Sequence, residues 1–148
     1  MTLDWCDRTI ARLAKAIESQ EVSARQVVDQ TLARIADRDP ALRAFTAVLG
    51  DGARLDADRA DRDIAAGRYR GPLHGVPISI KDLIDVAGVP TTAASRVTRR
   101  VPARTDAPVV ARLRAAGAIL IGKCNLHEFA FGTTGEDSAF GPTRHPLD

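Results

Sequence analysis

The chain has 148 residues, which is enough for one compact domain with its own core. Hydrophobic residues make up 45% of the chain and aromatic residues only 4%, so the composition excludes a disordered protein and favours a core of Ala, Val, Ile and Leu. The formal net charge of +2 gives no electrostatic case for direct binding of nucleic acid.

The sequence contains no apolar stretch as long as a membrane-spanning helix. Its first residues, Met-Thr-Leu-Asp-Trp-Cys, lack the apolar region of a signal peptide. Cys6 and Cys124 are too few for a disulfide framework. We therefore expect a cytoplasmic protein that does not contact a membrane.

The first part of the chain is expected to be helical. Apolar residues at helical spacing predict a helix near residues 7–19. Ser23, followed by Gln26, has the pattern of a capping box, which would begin a second helix. Asp39 and Pro40 should end that helix, because a residue that precedes proline is disfavoured in the α region.

Two further elements are predicted before residue 70. Residues 44–49 are compatible with either a strand or a buried turn. A third helix is expected near residues 52–66, and Gly67 is a suitable residue to terminate it.

The pattern changes after residue 70. Residues 75–80 are short, β-branched and bounded by glycine, which predicts a strand. Pro77 indicates that this strand lies at a sheet edge or that the strand begins there. Residues 85–105 show no periodicity and predict a long ordered loop, a feature that is often functional in a compact domain.

A helix and a second strand are predicted beyond this loop. The helix should begin near Pro108 and end at Gly117, and residues 118–121 form a buried apolar strand. Strand, helix and strand in this order predict a βαβ unit with parallel strands. Three apolar residues of the helix should face inward: Val109, Val110 and Leu113.

Lys81 is the residue that the sequence singles out for chemistry, in the run Gly75-Val-Pro-Ile-Ser-Ile-Lys81-Asp82. A lysine at the end of a strand usually just reaches solvent. If the side chain were desolvated instead, its amine would give up a proton more readily and could act as a general base. The local sequence leaves both interpretations open.

A metal site is not expected. Cys124, His127 and Glu128 lie close together and His145 follows, but the Cys-x-x-His spacing is only half of a zinc site. Cys124 is interpreted as a small buried apolar residue. Residues 132–135, Gly-Thr-Thr-Gly, lack the spacing of a nucleotide-binding loop, so no cofactor is expected either.

Each feature alone is common, but their order is specific. Four segments follow one another: residues 71–92 around Lys81, residues 107–125 ending in Gly-Lys-Cys-Asn, Leu126-His-Glu-Phe129, and Gly141-Pro-Thr-Arg-His-Pro146. Together they closely resemble the amidase signature family, the Ser–Ser–Lys hydrolases. The resemblance extends over nearly the whole chain, and it includes the entry segment around Glu21-Val-Ser-Ala24.

The resemblance implies an α/β fold in which N-terminal helices precede part of a mixed β-sheet covered by helices. Residues 1–148 would form the N-terminal part of a single, longer amidase domain. Within it, residues 1–70 would be a mainly helical entry segment, and residues 71–148 a β-α-β core segment that carries the catalytic lysine.

The resemblance also implies a mechanism. In the family a serine attacks the amide carbonyl, and a second serine relays the proton to a buried neutral lysine, which Lys81 matches. Both family serines lie in a Gly- and Ser-rich segment that follows the Gly-Pro-Thr-Arg-x-Pro stretch. Ser79, Ser95 and Ser138 match neither of them.

A substrate-binding segment is implied in the same way. Ala130, Phe131 and Gly132 match the residues that line the acyl pocket of the family. The chain departs from the common pattern at Cys124, where Thr is usual, and at His145, where Asn is usual.

Three functions are compatible with these features. The first is an amidase acting on the non-peptide C–N bond of a small carboxamide, present here as an N-terminal fragment that lacks both serines and is inactive alone. The second is the A subunit of a glutamine-dependent aminoacyl-tRNA amidotransferase. The third is a non-catalytic interaction module. The expected partners are the small-molecule amide, the missing C-terminal part of the domain and a second copy in a homodimer.

Overall fold

The computed structural model describes residues 4–147. None of the helices in this range is long and apolar enough to span a membrane. In chain order the elements are a 3-10 helix Trp5–Asp7, α1 Ile10–Glu18, α2 Ala24–Leu42, β1 Phe45–Val48, α3 Gly50–Ala65, β2 Pro77–Lys81, α4 Pro108–Ala115, β3 Ile119–Cys124 and a 3-10 helix Glu128–Ala130.

The chain divides into two compact units, each described by itself. The first unit comprises the residues up to Ile35 together with Leu49–Ile78 and Arg112–Ile121. The second unit comprises Ala36–Val48, Ser79–Ala111 and the residues from Gly122 onward. Lys81 and the predicted acyl-pocket segment therefore belong to the second unit.

The core of the first unit is a cluster of apolar side chains, with the half-buried Tyr69 packed against it. Helix α1 begins at Ile10 rather than near residue 7, because the Thr9 hydroxyl caps it by accepting the Arg12 N–H at 3.3 Å. The buried members of the cluster are Trp5, Leu13, Ala16, Ile17, Val22, Val27, Ile64 and Val76.

Helix α2 begins with the predicted capping box. The Gln26 N–H donates to the Ser23 hydroxyl at 3.0 Å, and the Ser23 N–H donates to the Gln26 side-chain oxygen at 3.0 Å. The Asp61 carboxylate accepts two further N–H groups, from Ala24 at 2.6 Å and from Arg25 at 3.1 Å. These bonds satisfy backbone donors that a first helical turn leaves without partners.

The prediction that α2 ends at Asp39 and Pro40 is wrong, because the helix continues past Pro40 to Leu42. A proline this near to the end of a helix removes a single backbone donor, and little helix remains to be disrupted. The Asp39 carboxylate then stabilises the exit of the chain by accepting the N–H groups of Ala44 and Phe45 at 2.7 and 3.2 Å.

Helix α3 ends at Ala65, and Gly67, which follows the cap residue with φ 74°, terminates it as predicted. The Gly67 N–H donates to the Ile64 carbonyl at 2.9 Å, and the Arg68 N–H donates to the Asp63 carbonyl at 2.8 Å. This pair of bonds is the Schellman motif, in which glycine takes the left-handed position at no steric cost.

The strands form a mixed sheet in the order β1-β3-β2. Strand β1 is antiparallel to β3, with Phe45 opposite Cys124 and Val48 opposite Gly122. Residues 44–49 therefore contain a strand and not the buried turn that the sequence also allowed. Gly122 is required at its position, because a Cβ there would lie 2.7 Å from the Ala47 carbonyl oxygen.

Strands β2 and β3 are parallel, as the βαβ pattern predicted. The Ile119 N–H donates to the Val76 carbonyl at 2.9 Å, and further along the Asp82 N–H donates to the Cys124 carbonyl at 3.0 Å. Strand β2 lies at the edge of the sheet with Pro77 as its first residue, which confirms both expectations for that proline.

Helix α4 begins at Pro108 as predicted, but its inward face is narrower than expected. Val110 is fully buried, whereas Val109 is 47% exposed, and Leu113 is partly exposed. Adjacent residues of a helix point about 100° apart, so Val109 lies on a different part of the helix surface from the buried Val110.

The predicted long loop is confirmed, since residues 85–105 contain neither a helix nor a named strand. Isolated bridges tie the loop together, pairing Val86 with Val89, Ala87 with Ala103, and Pro90 with Pro102.

Candidate active site

Lys81 is the last residue of the edge strand β2, and its side chain is exposed. Its neighbours Ile80 and Asp82 are buried, with 6% and 1% of their surface exposed. This alternation follows from strand geometry, because successive side chains point to opposite faces. Within the described residues, Lys81 therefore reaches solvent while Asp82 points into the protein.

The Asp82 carboxylate is buried together with Lys123, which has 0% of its surface exposed. The Lys123 Nζ lies 2.9 Å from Asp82 Oδ1 and donates to the Thr91 hydroxyl at 3.2 Å. The hydroxyl of Thr46 donates to Asp82 Oδ2 at 2.8 Å, and the hydroxyl of Thr92 donates to the same oxygen. A buried ion pair is tolerated only when such additional hydrogen bonds accompany it.

Two short segments of left-handed backbone meet beside this pair. Ala93 and Ala94 have φ values of 50° and 56°, and Phe129 and Ala130 have values of 53° and 60°. Each such residue costs on the order of 1–3 kcal/mol and persists only where the surrounding structure enforces it. Residues of this kind cluster at functional sites.

Backbone hydrogen bonds connect Lys81 with the second of these segments. Asp82, the covalent neighbour of Lys81, accepts the Ala93 N–H at 2.8 Å through its main-chain carbonyl. Ala93 in turn accepts the Phe129 N–H at 2.9 Å. The structure thus links the neighbour of the predicted catalytic lysine to Phe129, the residue before the predicted acyl-pocket residues.

The predicted acyl-pocket residues lie at the surface of the described chain. Ala130 is exposed, Phe131 is 91% exposed and Gly132 is partly buried. Gly132 packs so closely against the His127 ring that a Cβ at this position would overlap it. Phe129, which is 44% exposed, and Phe131 therefore both present apolar surface at this constrained turn.

Asn125 anchors the tail that carries this segment. Its side-chain amide donates to the carbonyls of Arg43 at 2.9 Å and Gly141 at 3.0 Å. Its side-chain oxygen accepts the Ser138 hydroxyl at 2.6 Å. The Ser138 hydroxyl is therefore engaged in holding the tail.

The residues considered for a metal site remain apart. Among residues 4–147, no three or more His, Cys, Asp or Glu side chains are placed to hold a metal ion. His145 Nδ1 accepts the Leu147 N–H at 3.3 Å. The expectation that Cys124 is buried is wrong: its thiol is free and only partly buried, because it ends β3.

The buried pair of Asp82 and Lys123 was missed from the sequence. Lys123 lies within the apolar strand Ile119–Cys124, where a lysine can be buried only with a partner. Asp82 follows Lys81 at the end of another strand and must point to the opposite face. These two signals together could have predicted the ion pair.

Residues 26–148 match the protein family described as Amidase. The chain belongs to the amidase family. The relation that the ordered motifs indicated is therefore confirmed.

Curated relatives of this amidase-family chain are similar along almost all of its length. It is 46% identical over 145 residues to the A subunit of the glutamyl-tRNA(Gln) amidotransferase of Acidothermus cellulolyticus, covering 98% of the chain and 29% of that protein. The corresponding protein of Prochlorococcus marinus strain MIT 9303 is 47% identical over 139 residues, covering 94% of the chain and 29% of the relative.

Solved structures share the fold of the amidase-family chain. A peptide amidase from Stenotrophomonas maltophilia has a TM-score of 0.87 and 36% identity, covering 97% of the chain and 31% of the amidase. A chain from a vestigial protein complex, described with the evolutionary origins of an s-triazine catabolic enzyme, has a TM-score of 0.91 and 42% identity, covering 95% and 31%. The mixed α/β fold is confirmed, and the chain spans less than a third of these relatives.

Proposed function

We propose that this chain is the N-terminal part of an amidase that hydrolyses the C–N bond of a small carboxamide, with Lys81 as the proton acceptor. Membership of the amidase family supports the reaction class. The position of Lys81 supports its role. Lys81 ends β2 and precedes Asp82, whose carboxylate pairs with Lys123. Main-chain hydrogen bonds lead from Asp82 through Ala93 to Phe129, the residue before the pocket residues 130–132.

The proposed chemistry needs two serines from beyond these residues. One serine forms a bond to the carbonyl carbon, and its proton passes through the second serine to the neutral amine of Lys81. The Lys81 ammonium then returns the proton to the leaving nitrogen as the C–N bond breaks. Water hydrolyses the resulting ester by the same route, which regenerates the serine.

Ala130, Phe131 and Gly132 are proposed to line the pocket for the acyl part of the substrate. Phe131 would supply an apolar wall, since its side chain is 91% exposed here. The remainder of the domain would cover Lys81, and the loss of water would favour the neutral amine that a base requires.

A second function is favoured by the curated relatives at 46% and 47% identity, each of them the A subunit of a glutamyl-tRNA(Gln) amidotransferase. The chain would then be part of a subunit that works with partner subunits and draws its nitrogen from glutamine. The proposed location is the cytoplasm in both cases, with a homodimer expected for the simple amidase.

Two chimeras test the proposal. In one, the 148 residues replace the matching segment of the Stenotrophomonas maltophilia peptide amidase, and in the other that of the Acidothermus cellulolyticus amidotransferase protein. The first should release ammonia from a peptide amide, which supports the amidase. Activity confined to the second chimera, assembled with its partner subunits, supports the amidotransferase. If both chimeras unfold cooperatively, and so are folded, but neither is active, the proposal is wrong.

A further inference from the structure

We propose that Asp82 is a positioning residue, whose carboxylate fixes the base Lys81 relative to the acyl-pocket residues 130–132. This proposal rests on the proposed function, since it concerns the placing of groups for that reaction. It assigns no bond-making role to Asp82, which directly follows β2 and is buried, whereas Lys81 is exposed.

Four hydrogen-bond donors surround the Asp82 carboxylate. Oδ1 receives the Lys123 ammonium at 2.9 Å and the Thr92 N–H at 3.3 Å. Oδ2 receives the Thr46 hydroxyl at 2.8 Å and the hydroxyl of Thr92. An ionised carboxylate only accepts hydrogen bonds, so four donors in a buried site hold it in one orientation. The carboxylate is therefore engaged away from its sequence neighbour, Lys81.

Asp82 also holds the loop that follows it through hydrogen bonds to Thr92 and Ala93. Its side chain binds both the N–H and the hydroxyl of Thr92, and its main-chain carbonyl accepts the Ala93 N–H at 2.8 Å. The Thr92 hydroxyl also accepts the Ala94 N–H at 3.1 Å. These bonds surround Ala93 and Ala94, whose left-handed backbone has to be enforced by neighbouring contacts.

The same loop is hydrogen-bonded to residues on either side of the pocket residues 130–132. The Ala93 carbonyl accepts the Phe129 N–H at 2.9 Å, and the Ala94 carbonyl accepts the Ala139 N–H at 2.8 Å. Both flanks of the pocket segment are thus attached to a loop that Asp82 holds. A shift of this loop would move the segment relative to Lys81, and a displacement of about 1 Å at a catalytic site can cost about 100-fold in rate.

If the Asp82–Lys123 pair served stability alone, removing both charges would leave amide exchange near the pocket and kcat unchanged. Replacing a buried ion pair by neutral residues of similar size is often harmless to stability. The asparagine of Asp82→Asn, however, has a donor amide in place of one accepting oxygen, so the full set of donors cannot be satisfied. The double variant Asp82→Asn/Lys123→Met therefore separates stability from positioning.

The test uses amide hydrogen exchange followed by NMR on the 148-residue chain. In the double variant we expect the amides of Phe129 and Ala139 to exchange at least about tenfold faster than in the wild type, because the loop opens more readily. The Ile119 amide of the first unit should be unchanged. Thr92→Ser keeps the hydroxyl and should retain slow exchange, whereas Thr92→Val should not.

A kinetic measurement on the peptide amidase chimera completes the test. The double variant should lower kcat by about 100-fold with little change in KM, because the substrate still binds but meets a displaced base. Wild-type exchange at Phe129 and Ala139, or an unchanged kcat, would overturn the positioning role. Activity that survives Lys81→Met would instead refute the proposed function, so the two failures are distinguishable.

Discussion

For a single residue, the largest loss of stability is expected when the buried ammonium of Lys123 is removed. Lys123→Met leaves the Asp82 carboxylate buried without its counter-charge, which should lower the free energy of unfolding by about 3–5 kcal/mol. Urea unfolding measures this loss. Lys15→Met, on the exposed face of α1, is the matched control and should stay within about 0.5 kcal/mol of the wild type. A loss below about 1 kcal/mol for Lys123→Met would contradict the buried pair.

His74 predicts a dependence of stability on pH. The residue is 1% exposed and stacks on Tyr69, and its Nδ1 accepts the Arg70 N–H at 3.1 Å. Burial lowers the pKa of His74 from its usual 6.5, and the charge of Arg70 adds to the effect. The unfolded chain therefore binds a proton more readily than the folded chain. The stabilisation is complete above pH 6.5 and is lost as the pH falls towards the folded pKa.

The measurement is the free energy of unfolding between pH 7.5 and 5.5, where His74→Gln should give a flatter profile than the wild type. Paired carboxylates do not interfere in this window. Hydrogen bonds from arginines lower the pKa of Glu21, Asp29 and Asp63, so their contribution is lost only at more acidic pH. Equal slopes in both proteins would show that His74 is not the titrating group.

At the scale of elements, Gly52 within helix α3 and Gly67 just beyond its end form an internal pair of tests. Gly67 has φ 74° and Gly52 lies within the helix, and a Cβ would meet no atom within 4 Å at either position. Gly67→Ala should destabilise the protein by about 1–2 kcal/mol through backbone strain. Gly52→Ala should stabilise it by about 0.5–1 kcal/mol through helix propensity. Thermal unfolding of both variants checks the signs, and the same sign for both would contradict the Schellman motif.

Elements that depend on local sequence were predictable. Ser23 and Gln26 cap α2, and Gly67 terminates α3, because in each case the interacting groups lie a few residues apart. The end of α2 was not predictable. Pro40 suggested that the helix ends at residue 39, but it continues to Leu42, and the Asp39 carboxylate then accepts the Ala44 N–H. The inward face of α4 depended on the partners of Val110, which sequence spacing alone does not reveal.

The candidate site was predictable only in part, for the same reason. The order of motifs pointed to Lys81 and to residues 130–132, and the chimeras test these predictions. Asp82, which follows β2, contacts Lys123 of β3 and Thr46 of β1, so residues far apart in the sequence meet in this site. Tertiary hydrogen bonds enforce the left-handed backbone of Ala93 and Phe129. Neither residue is a glycine, so the local sequence does not predict this conformation.

At the scale of the whole molecule, the 148-residue chain is expected to be inactive by itself. Neither of two serines near the site is arranged as a nucleophile: Ser95 is fully buried and the Ser138 hydroxyl donates to Asn125. Purified chain should release no ammonia from a simple carboxamide, measured alongside an active chimera. Turnover by the chain that Lys81→Ala abolishes would overturn this expectation.

The most direct measurement of the central claim compares two lysine substitutions in the active chimera. If Lys81 is the proton acceptor, Lys81→Met should lower kcat by about 10²–10⁴-fold, the usual contribution of a general base. Lys15→Met removes the same charge from exposed helix α1 and should leave kcat unchanged. A chimera that keeps its kcat with Lys81→Met would contradict the assignment of Lys81 as the base.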